Sequence, residues 1–275
     1  MAAADTLLRS AESRTGVTTT DVLKFVGVAA FLIDHYGYYF APDENGWRLV
    51  GRMAAPIFFF LIGFARTRSV PWTWFAFGAA LTALSAWAAQ SLTDVLLNIL
   101  LNFALLRLVV LPVVERIMVR RPVPLAMLVV GCILLIDATD GVLEYGTEGW
   151  LWAFFGLAHR VAQTSETARM AWIRTGLGVA AVAAYIPREV QEYDFGILQA
   201  ALLAGAVIGL ALTFVRFRRM TLRRQPPAPL AAPLRFGGRY SLEIYAITLF
   251  AMQFLAYAIA ISGDAGSDGG GNDGG

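Results

Sequence analysis

The sequence predicts an all-α protein, a polytopic integral membrane bundle of about nine transmembrane helices. Three observations favour this fold class. First, hydrophobic residues make up 57% of the chain and charged residues only 15%, with a mean hydropathy of +0.60, whereas soluble domains are about half apolar and a quarter charged. Second, apolar stretches long enough to cross a bilayer recur along the chain. Third, basic residues concentrate in alternate connections between those stretches.

Helix breakers and apolar runs define the predicted spans. A helix needs about 20 mostly apolar residues to cross the hydrocarbon core. Pro71, Pro122 and Pro187 fall between the spans, as breakers should, whereas Pro56 and Pro112 fall inside and are expected to kink their helices. The predicted spans are 22–41, 50–65, 72–91, 94–114, 123–137, 149–163, 172–187, 195–215 and 240–261.

The basic residues predict the orientation, because cytoplasmic connections carry the excess of Lys and Arg. Of the 22 basic residues, 18 fall near the N-terminus or in even-numbered connections, three in odd-numbered ones, and Arg107 inside a span. We therefore expect a plasma (inner) membrane protein with a cytoplasmic N-terminal segment, 1–21. The membrane domain is 22–262, and a Gly/Asp-rich tail, 263–275, is expected to be extracytoplasmic and disordered.

Composition also narrows the function. A net charge of +2 gives no reason to expect a nucleic-acid partner, and no pattern predicts a metal site. The single cysteine, Cys132, cannot form an intramolecular disulfide. Function must therefore come from polar side chains at membrane depth, which are costly and functional by default.

The first span carries three such side chains: Lys24, Asp34 and His35. Lys24 and His35 are eleven residues apart, which is three helical turns plus about 20°, so they share a face about 16 Å apart along the axis. A histidine there can act as a general base. The alternatives are that Lys24 is a snorkelling flank residue and that Asp34 and His35 form a structural hydrogen bond or cap.

Further polar pairs follow at helical spacing. Arg48 and Arg52 lie on one helix face, on the side of the membrane where arginine is rare. Two interpretations are open: they are interfacial anchors, or they point inward toward Asp34 and His35 and balance or bind negative charge. Asn98 and Asn102 have the same i, i+4 spacing in the fourth span. Asparagine in a span often forms hydrogen bonds between helices, and the alternative is that these two side chains contribute to a site.

The stretch LKFVGVAAFLIDHYGYYF…WRLVGRMAAPIFFFLIGFARTRS resembles the TraX family, named for the F-pilin acetylation protein. That family shows LK opening the first span, DH closing it, and then GR-x-x-x-P-x-F. The matching residues are Leu23, Lys24, Asp34, His35, Gly51, Arg52, Pro56 and Phe58. The spacing of Lys24 and His35 is also similar to the R/K-x10-H motif of the wider membrane acyltransferases.

Later segments resemble the family more loosely. EYGTEG is similar to a family DYG-x-x-G segment, with Glu144 in place of the aspartate. RYSLEIYAITL is similar to the closing span, in which Ala246 and Thr248 stand where the family commonly has a proline and a histidine. A mechanism that needs this late histidine is therefore not expected here.

The resemblance implies transfer of an acyl group, usually acetyl, from acyl-CoA to a hydroxyl or amine of an unknown extracytoplasmic acceptor. The implied enzyme is an acyl-CoA-dependent O- or N-acetyltransferase that uses acetyl-CoA as co-substrate and keeps no permanent cofactor. Its implied partners are the lipid bilayer, acyl-CoA and the acceptor. The residues assigned to these roles are His35, Asp34 and Arg52 for catalysis, Lys24, Arg66 and Arg68 for acyl-CoA, and Arg48, Asn98, Asn102 and Glu144 for the acceptor.

Two other classes of function remain open. A secondary transporter or proton-linked carrier would also use buried Asp34, His35 and Arg52. Internal repeats would favour that class, but the sequence shows no convincing repeat. The third class is a scaffold without catalytic activity. Binding or hydrolysis of acetyl-CoA by the purified protein distinguishes an enzyme from the other two.

Overall fold

A computed structural model describes residues 16–89, 97–120, 122–165 and 167–267. In this part of the chain every regular element is a helix. The helices are α1 (Thr19–Phe40), α2 (Asn45–Gly51), α3 (Ala54–Phe64), α4 (Trp72–Ala89), α5 (Ile99–Leu105), α6 (Leu111–Arg120), α7 (Pro122–Leu134), α8 (Ile136–Asp140), α9 (Gly146–Thr164), α10 (Ala168–Glu192), α11 (Ile197–Arg216), α12 (Ala228–Arg239) and α13 (Ser241–Ser267). A π-helical turn, Leu106–Val110, joins α5 to α6.

Several of these helices are suited to a membrane. Among the described residues, four stretches are long and apolar enough to cross one, and Val123–Leu134 is a shorter apolar helix. The four are Asn45–Phe64, Ala168–Glu192, Ile197–Arg216 and Ser241–Ile259. The all-α membrane fold class is confirmed at this level, and the count of nine spans stays a prediction.

The ends of the membrane domain differ slightly from expectation. Helix α1 begins at Thr19 because Thr18 and Asp21 form a capping box, in which each side chain binds the other's backbone N–H. Residues 1–15 of the predicted N-terminal segment lie outside the described part. The predicted tail begins inside α13, which continues to Ser267, and 268–275 again lie outside.

Two prolines lie beside irregular parts of their spans. Pro56 has no N–H for the carbonyl of Arg52, four residues earlier, and its ring would clash with that carbonyl. The helix accordingly breaks at Arg52 and Met53, between α2 and α3, and the Tyr185 hydroxyl donates to the Arg52 carbonyl at 2.6 Å instead. The π-helical turn ends at Val110, two residues before Pro112. The helical path is therefore irregular beside both prolines, and a kink at Pro112 stays a prediction.

One proline was assigned wrongly. Pro187 was expected between spans, but it lies inside α10, which continues to Glu192. A membrane helix tolerates proline because its neighbours and local adjustments satisfy the freed carbonyl. The predicted span 172–187 is therefore too short at both ends.

The centre of the bundle is the contact between α3 and α9. Ten of the eleven residues of α3 are buried. A Cβ atom at Gly63 would overlap the Ala153 carbonyl, and one at Gly156 would overlap the Phe60 carbonyl. The two backbones therefore touch directly, as small residues allow in membrane helices. This contact fixes the frame around which the other helices pack.

The bundle has two ends, which we call the Lys24 end and the His35 end after residues of α1. At the Lys24 end, Thr19 donates its N–H to the Met220 carbonyl at 2.9 Å. At the His35 end, the Asn45 amide donates to the Tyr193 carbonyl at 3.0 Å. Each end opens into a cavity.

Candidate functional site

A polar cavity of about 390 Å³ lies at the His35 end; we call it the His35 cavity. Helices α1, α2, α4, α10 and α13 contribute to its walls, together with the connection between α8 and α9. Carboxylates, tyrosines and two arginines line it. A small apolar extension continues from it past Phe31, Phe58 and Leu242. Ligand sites commonly combine such an apolar wall with a few convergent polar groups.

His35 lines both the cavity and its extension. Its ring packs against Phe31 and Tyr245, each with ring centroids 5.7 Å away. Its Nδ1 is buried and has no hydrogen-bond partner among the described residues. Aromatic contacts thus hold the ring while this nitrogen stays available, which an acid–base group or an acyl carrier requires.

Asp34 faces two arginines rather than His35. Its carboxylate accepts from Arg52 at 2.6 Å and from Arg48 at 2.8 Å. The side chains of Arg52 and Asp34 are only 5% and 6% exposed. The inward interpretation of the arginine pair is therefore confirmed, since a buried guanidinium needs a charged partner.

Helix α10 supplies the other side of this ion cluster, and the sequence reasoning missed it. Glu189 lies 3.4 Å from Arg52. The Tyr193 hydroxyl is 2.9 Å from Arg52 and 2.8 Å from Arg48, and its ring lies under both guanidinium groups. A span assumed to end at Pro187 left Glu189 and Tyr193 in a loop. Arg52 itself could have indicated these residues, because a buried guanidinium has several N–H donors and needs more than one acceptor.

Glu144 lies in the connection between α8 and α9. Its carboxylate accepts from the backbone N–H of Ile99 at 2.8 Å and is 3.4 Å from the Tyr245 hydroxyl. Burial raises the pKa of Glu144 to about 7, because a charged carboxylate is disfavoured away from water. The group can therefore gain or lose a proton near neutral pH. Tyr245 was not singled out in the sequence.

The two asparagines make structural contacts. Asn98 caps α5, accepting from the backbone N–H groups of Leu100 and Leu101, and its amide donates to the Gly78 carbonyl. Asn102 is fully buried; it donates to the Glu144 carbonyl and accepts from the Trp150 indole. Asn98 still lines the cavity, whereas Asn102 contacts the backbone of Glu144 and is not among the residues that line the cavity.

A second cavity, of about 970 Å³, opens at the Lys24 end; we call it the basic cleft. Among the described residues that line it, one side chain is acidic, that of Asp21. Lys24 and Arg66, two of the residues predicted to bind acyl-CoA, line it, and the Lys24 ammonium donates to the Gly238 carbonyl at 3.0 Å. The cationic side chains that line it are Lys24, Arg66, Arg107, Arg218, Arg219, Arg235 and Arg239.

Arg68 does not line the basic cleft. Its guanidinium pairs with Glu115 at 2.8 Å, and Arg160 pairs with the same carboxylate at 2.9 Å. The pair with Glu115 holds the Arg68 guanidinium away from the cleft, although Arg68 is only two residues from Arg66 in the sequence.

The fold and these cavities define a polytopic helical membrane protein with a buried polar site at one end and a basic cleft at the other. Residues 19–230 match the family described as TraX protein, and the chain belongs to that family. A stretch of 44 residues is 43% identical to an uncharacterized protein of Rickettsia prowazekii (strain Madrid E), and it covers 16% of this chain and 18% of that protein. No solved structure matches the chain.

The first prediction concerns the ion cluster. Arg52→Ala should destabilise the folded protein by about 3–5 kcal/mol, because it leaves Glu189 and part of Asp34 without a cationic partner in a buried site. Arg52→Lys should cost less, since it keeps the charge but loses the planar fork. The measurement is denaturant or thermal unfolding in detergent. Arg116→Ala, at an exposed arginine, is the control, and equal stability of Arg52→Ala and this control would refute the cluster's role.

The second prediction concerns pH. An unfolded glutamate loses its proton near pH ~4.3, whereas Glu144 in the folded protein keeps it until about pH 7. Between these values the folded state binds more protons, so its free energy of unfolding falls as pH rises. The stabilising contribution of protonated Glu144 is fully present below the pKa of the unfolded glutamate and lost above the pKa of Glu144 in the folded protein. Unfolding midpoints from about pH 5 to 8 should therefore depend less on pH in Glu144→Gln than in the wild type. Parallel profiles would contradict the prediction.

Proposed function

We propose that this protein is a membrane-embedded acyltransferase. It moves an acyl group, acetyl in the simplest case, from cytoplasmic acyl-CoA to a hydroxyl or amine of an extracytoplasmic acceptor. The observation that carries the proposal is the placement of the two ends of α1: Lys24 lines the basic cleft and His35 lines the polar cavity at the opposite end. Membership of the TraX family supports it.

The basic cleft is the proposed donor site. Acyl-CoA carries several phosphate groups, and guanidinium groups bind phosphates through paired hydrogen bonds. A cytoplasmic orientation alone explains an excess of arginine. The convergence of cations from separate parts of the chain on one cleft is a stronger argument, because like charges are brought together there at an electrostatic cost. Lys24 and Arg66 are the proposed contacts that the sequence anticipated.

The His35 cavity is the proposed site of chemistry. The acceptor's oxygen or nitrogen attacks the thioester carbon while His35 takes the acceptor's proton. The carbon–sulfur bond then breaks, and the leaving CoA sulfur receives a proton. In the variant of this route, the histidine first carries the acyl group itself. The long pantetheine arm spans the distance of about 16 Å along α1.

The neighbouring groups have supporting roles in this proposal. Arg52 stabilises the negative charge that develops on the carbonyl oxygen, and Asp34 holds Arg52 in position. Arg48 and Asn98 contact the acceptor at the rim of the cavity. Glu144, with a pKa near neutrality, exchanges a second proton with the acceptor or solvent.

Nine spans with a cytoplasmic N-terminus complete the proposal. The start of α1 and the end of α3 line the basic cleft, whereas the end of α1 and the start of α2 line the His35 cavity. This alternation supports successive crossings of the bundle. In this proposal the Lys24 end faces the cytoplasm, which the concentration of basic residues there supports.

The topology gives the third prediction. A reporter that works only in the cytoplasm should be active when it is fused after residue 222, in the basic segment before α12, because that segment packs against the start of α1. A reporter that works only outside the cytoplasm should be active when it is fused after residue 262. Reporter activity on the same side for both positions would exclude the ninth span.

The fourth prediction concerns catalysis. His35→Ala should abolish acetyl transfer from acetyl-CoA while leaving expression and membrane insertion intact, since the proposed proton acceptor is lost and removing a polar group from a span does not oppose insertion. Lys24→Ala should raise the apparent KM for acetyl-CoA more than it lowers kcat, as loss of ground-state binding does. Lys24→Arg should restore much of the binding. The measurement is turnover by purified protein with an extracytoplasmic extract as acceptor.

His159→Ala is the matched control, because His35 and His159 are the two histidines of the chain and His159 lies near the other end. Full transfer by His35→Ala would overturn the mechanism. Proton-coupled solute uptake that depends on Asp34, His35 and Arg52, without acyl transfer, would instead favour the carrier that uses the same buried charges.

A further inference from the structure

A groove between α10 and α11 faces away from the bundle. It has a volume of about 510 Å³ and an almost wholly apolar lining, with Gly178 and Ala183 on α10 and Leu212 on α11. Only 28% of the apolar part of α10 and 17% of that of α11 are buried, so in a membrane both helices contact lipid. From Arg174 to Pro187 the groove follows fourteen residues of α10, and the thirteen helical rises between them span about 20 Å. That length exceeds the half-thickness of the hydrocarbon core, about 15 Å.

A polar pocket closes one end of this groove. Its volume is about 350 Å³, and Arg174 and Val215 line both spaces. Three arginines, Arg174, Arg216 and Arg218, surround the pocket, and acidic side chains are missing from the described residues that line it. The groove thus changes from apolar to cationic along its length.

Two buried polar atoms in this pocket have no partner. The Arg174 Nε and the His159 Nδ1 are buried without a hydrogen bond among the described residues. His159 is 2% exposed, and its Nε2 is already bound to the Phe217 carbonyl at 2.7 Å. Because His159 Nε2 donates to that carbonyl, its Nδ1 is an acceptor, and the unsatisfied donor is the Arg174 Nε. Buried donors are normally satisfied, so an acceptor from outside the described residues is expected at Arg174.

We propose that this composite site binds one anionic phospholipid. The acyl chains lie in the groove, and the phosphate lies in the pocket, where it accepts hydrogen bonds from Arg174 and Arg216. Charge complementarity identifies the headgroup as anionic, because a zwitterionic headgroup would bring its own ammonium cation close to the three arginines. The pocket adjoins the basic cleft, because Arg218 lines both spaces, but Arg174 and Arg216 line neither the basic cleft nor the His35 cavity.

The geometry favours a lipid over a free anion. A soluble phosphate would fill the pocket and leave the long apolar groove exposed, whereas a phospholipid matches both parts at once. Phosphate bound by a guanidinium gains strong, charge-assisted bonds, and the chains add apolar contact in a site that is already within the bilayer.

The test is native mass spectrometry of the delipidated full-length protein in detergent. The probes are 1-palmitoyl-2-oleoyl-phosphatidylglycerol, the phosphatidylcholine with the same chains, and the deacylated headgroup glycerophosphoglycerol. One phosphatidylglycerol should bind at least about tenfold more tightly than phosphatidylcholine, a difference of ~1.4 kcal/mol. Arg174→Ala should abolish the preference for the anionic lipid. Ala183→Trp, at an exposed position of the groove, should weaken both lipids.

Arg116→Ala, at an exposed arginine of α6, is the matched control and should behave like the wild type. Arg216→Ala provides a second variant if Arg174→Ala does not fold. Wild-type preference in both arginine variants would overturn the proposal. So would full competition by glycerophosphoglycerol, which would assign a free anion, or a lipid-independent dimer that Ala183→Trp dissociates, which would assign the groove to a second copy. Loss of the preference with unchanged acetyl transfer would separate this site from the proposed catalysis.

Discussion

A charge inside a membrane protein must be paired, and the pairing of Arg52 organises the His35 end of this bundle. Its guanidinium lies between Asp34 of α1 and Glu189 of α10, so one side chain joins helices that are distant in sequence. The break before Pro56 exposes the Arg52 carbonyl, which Tyr185 of α10 then satisfies. Backbone and side chain of the same residue therefore fix α10 against α1 and the break between α2 and α3, since neither group is tolerated unpaired in a low dielectric.

This cluster also explains why His35 is available. Asp34, its neighbour in sequence, is fully engaged by Arg48 and Arg52, so the histidine is held by aromatic rings instead. A residue with an uncommitted ring nitrogen beside an organised ion cluster is suited to proton transfer, because the surrounding dipoles are already in place. The direct backbone contact of α3 with α9 supplies the rigid frame that this arrangement needs.

Much of the site could be anticipated where the signal is local. Lys24 and His35 reach opposite cavities because one helix of known rise connects them, and Arg52 turns inward because an arginine at that depth needs a partner.

Glu189 and Tyr193 were not identified from the sequence, because Pro187 was assumed to end its span. Arg68 and Asn102 were assigned to binding, but Glu115 and Glu144 engage them. Pairings of this kind depend on residues far apart in the chain.

The sequence by itself determined the all-α membrane class, the irregular helices beside Pro56 and Pro112, the family, and the polar residues of the first two spans. Hydropathy, helix breaking and motif spacing are properties of short segments, so they can be read along one chain. Only the tertiary structure decided that seven cations converge on one cleft, that α10 completes the ion cluster, and that an apolar groove ends at Arg174. These features arise from packing between distant helices, where burial and charge compensation are settled among all the neighbours together.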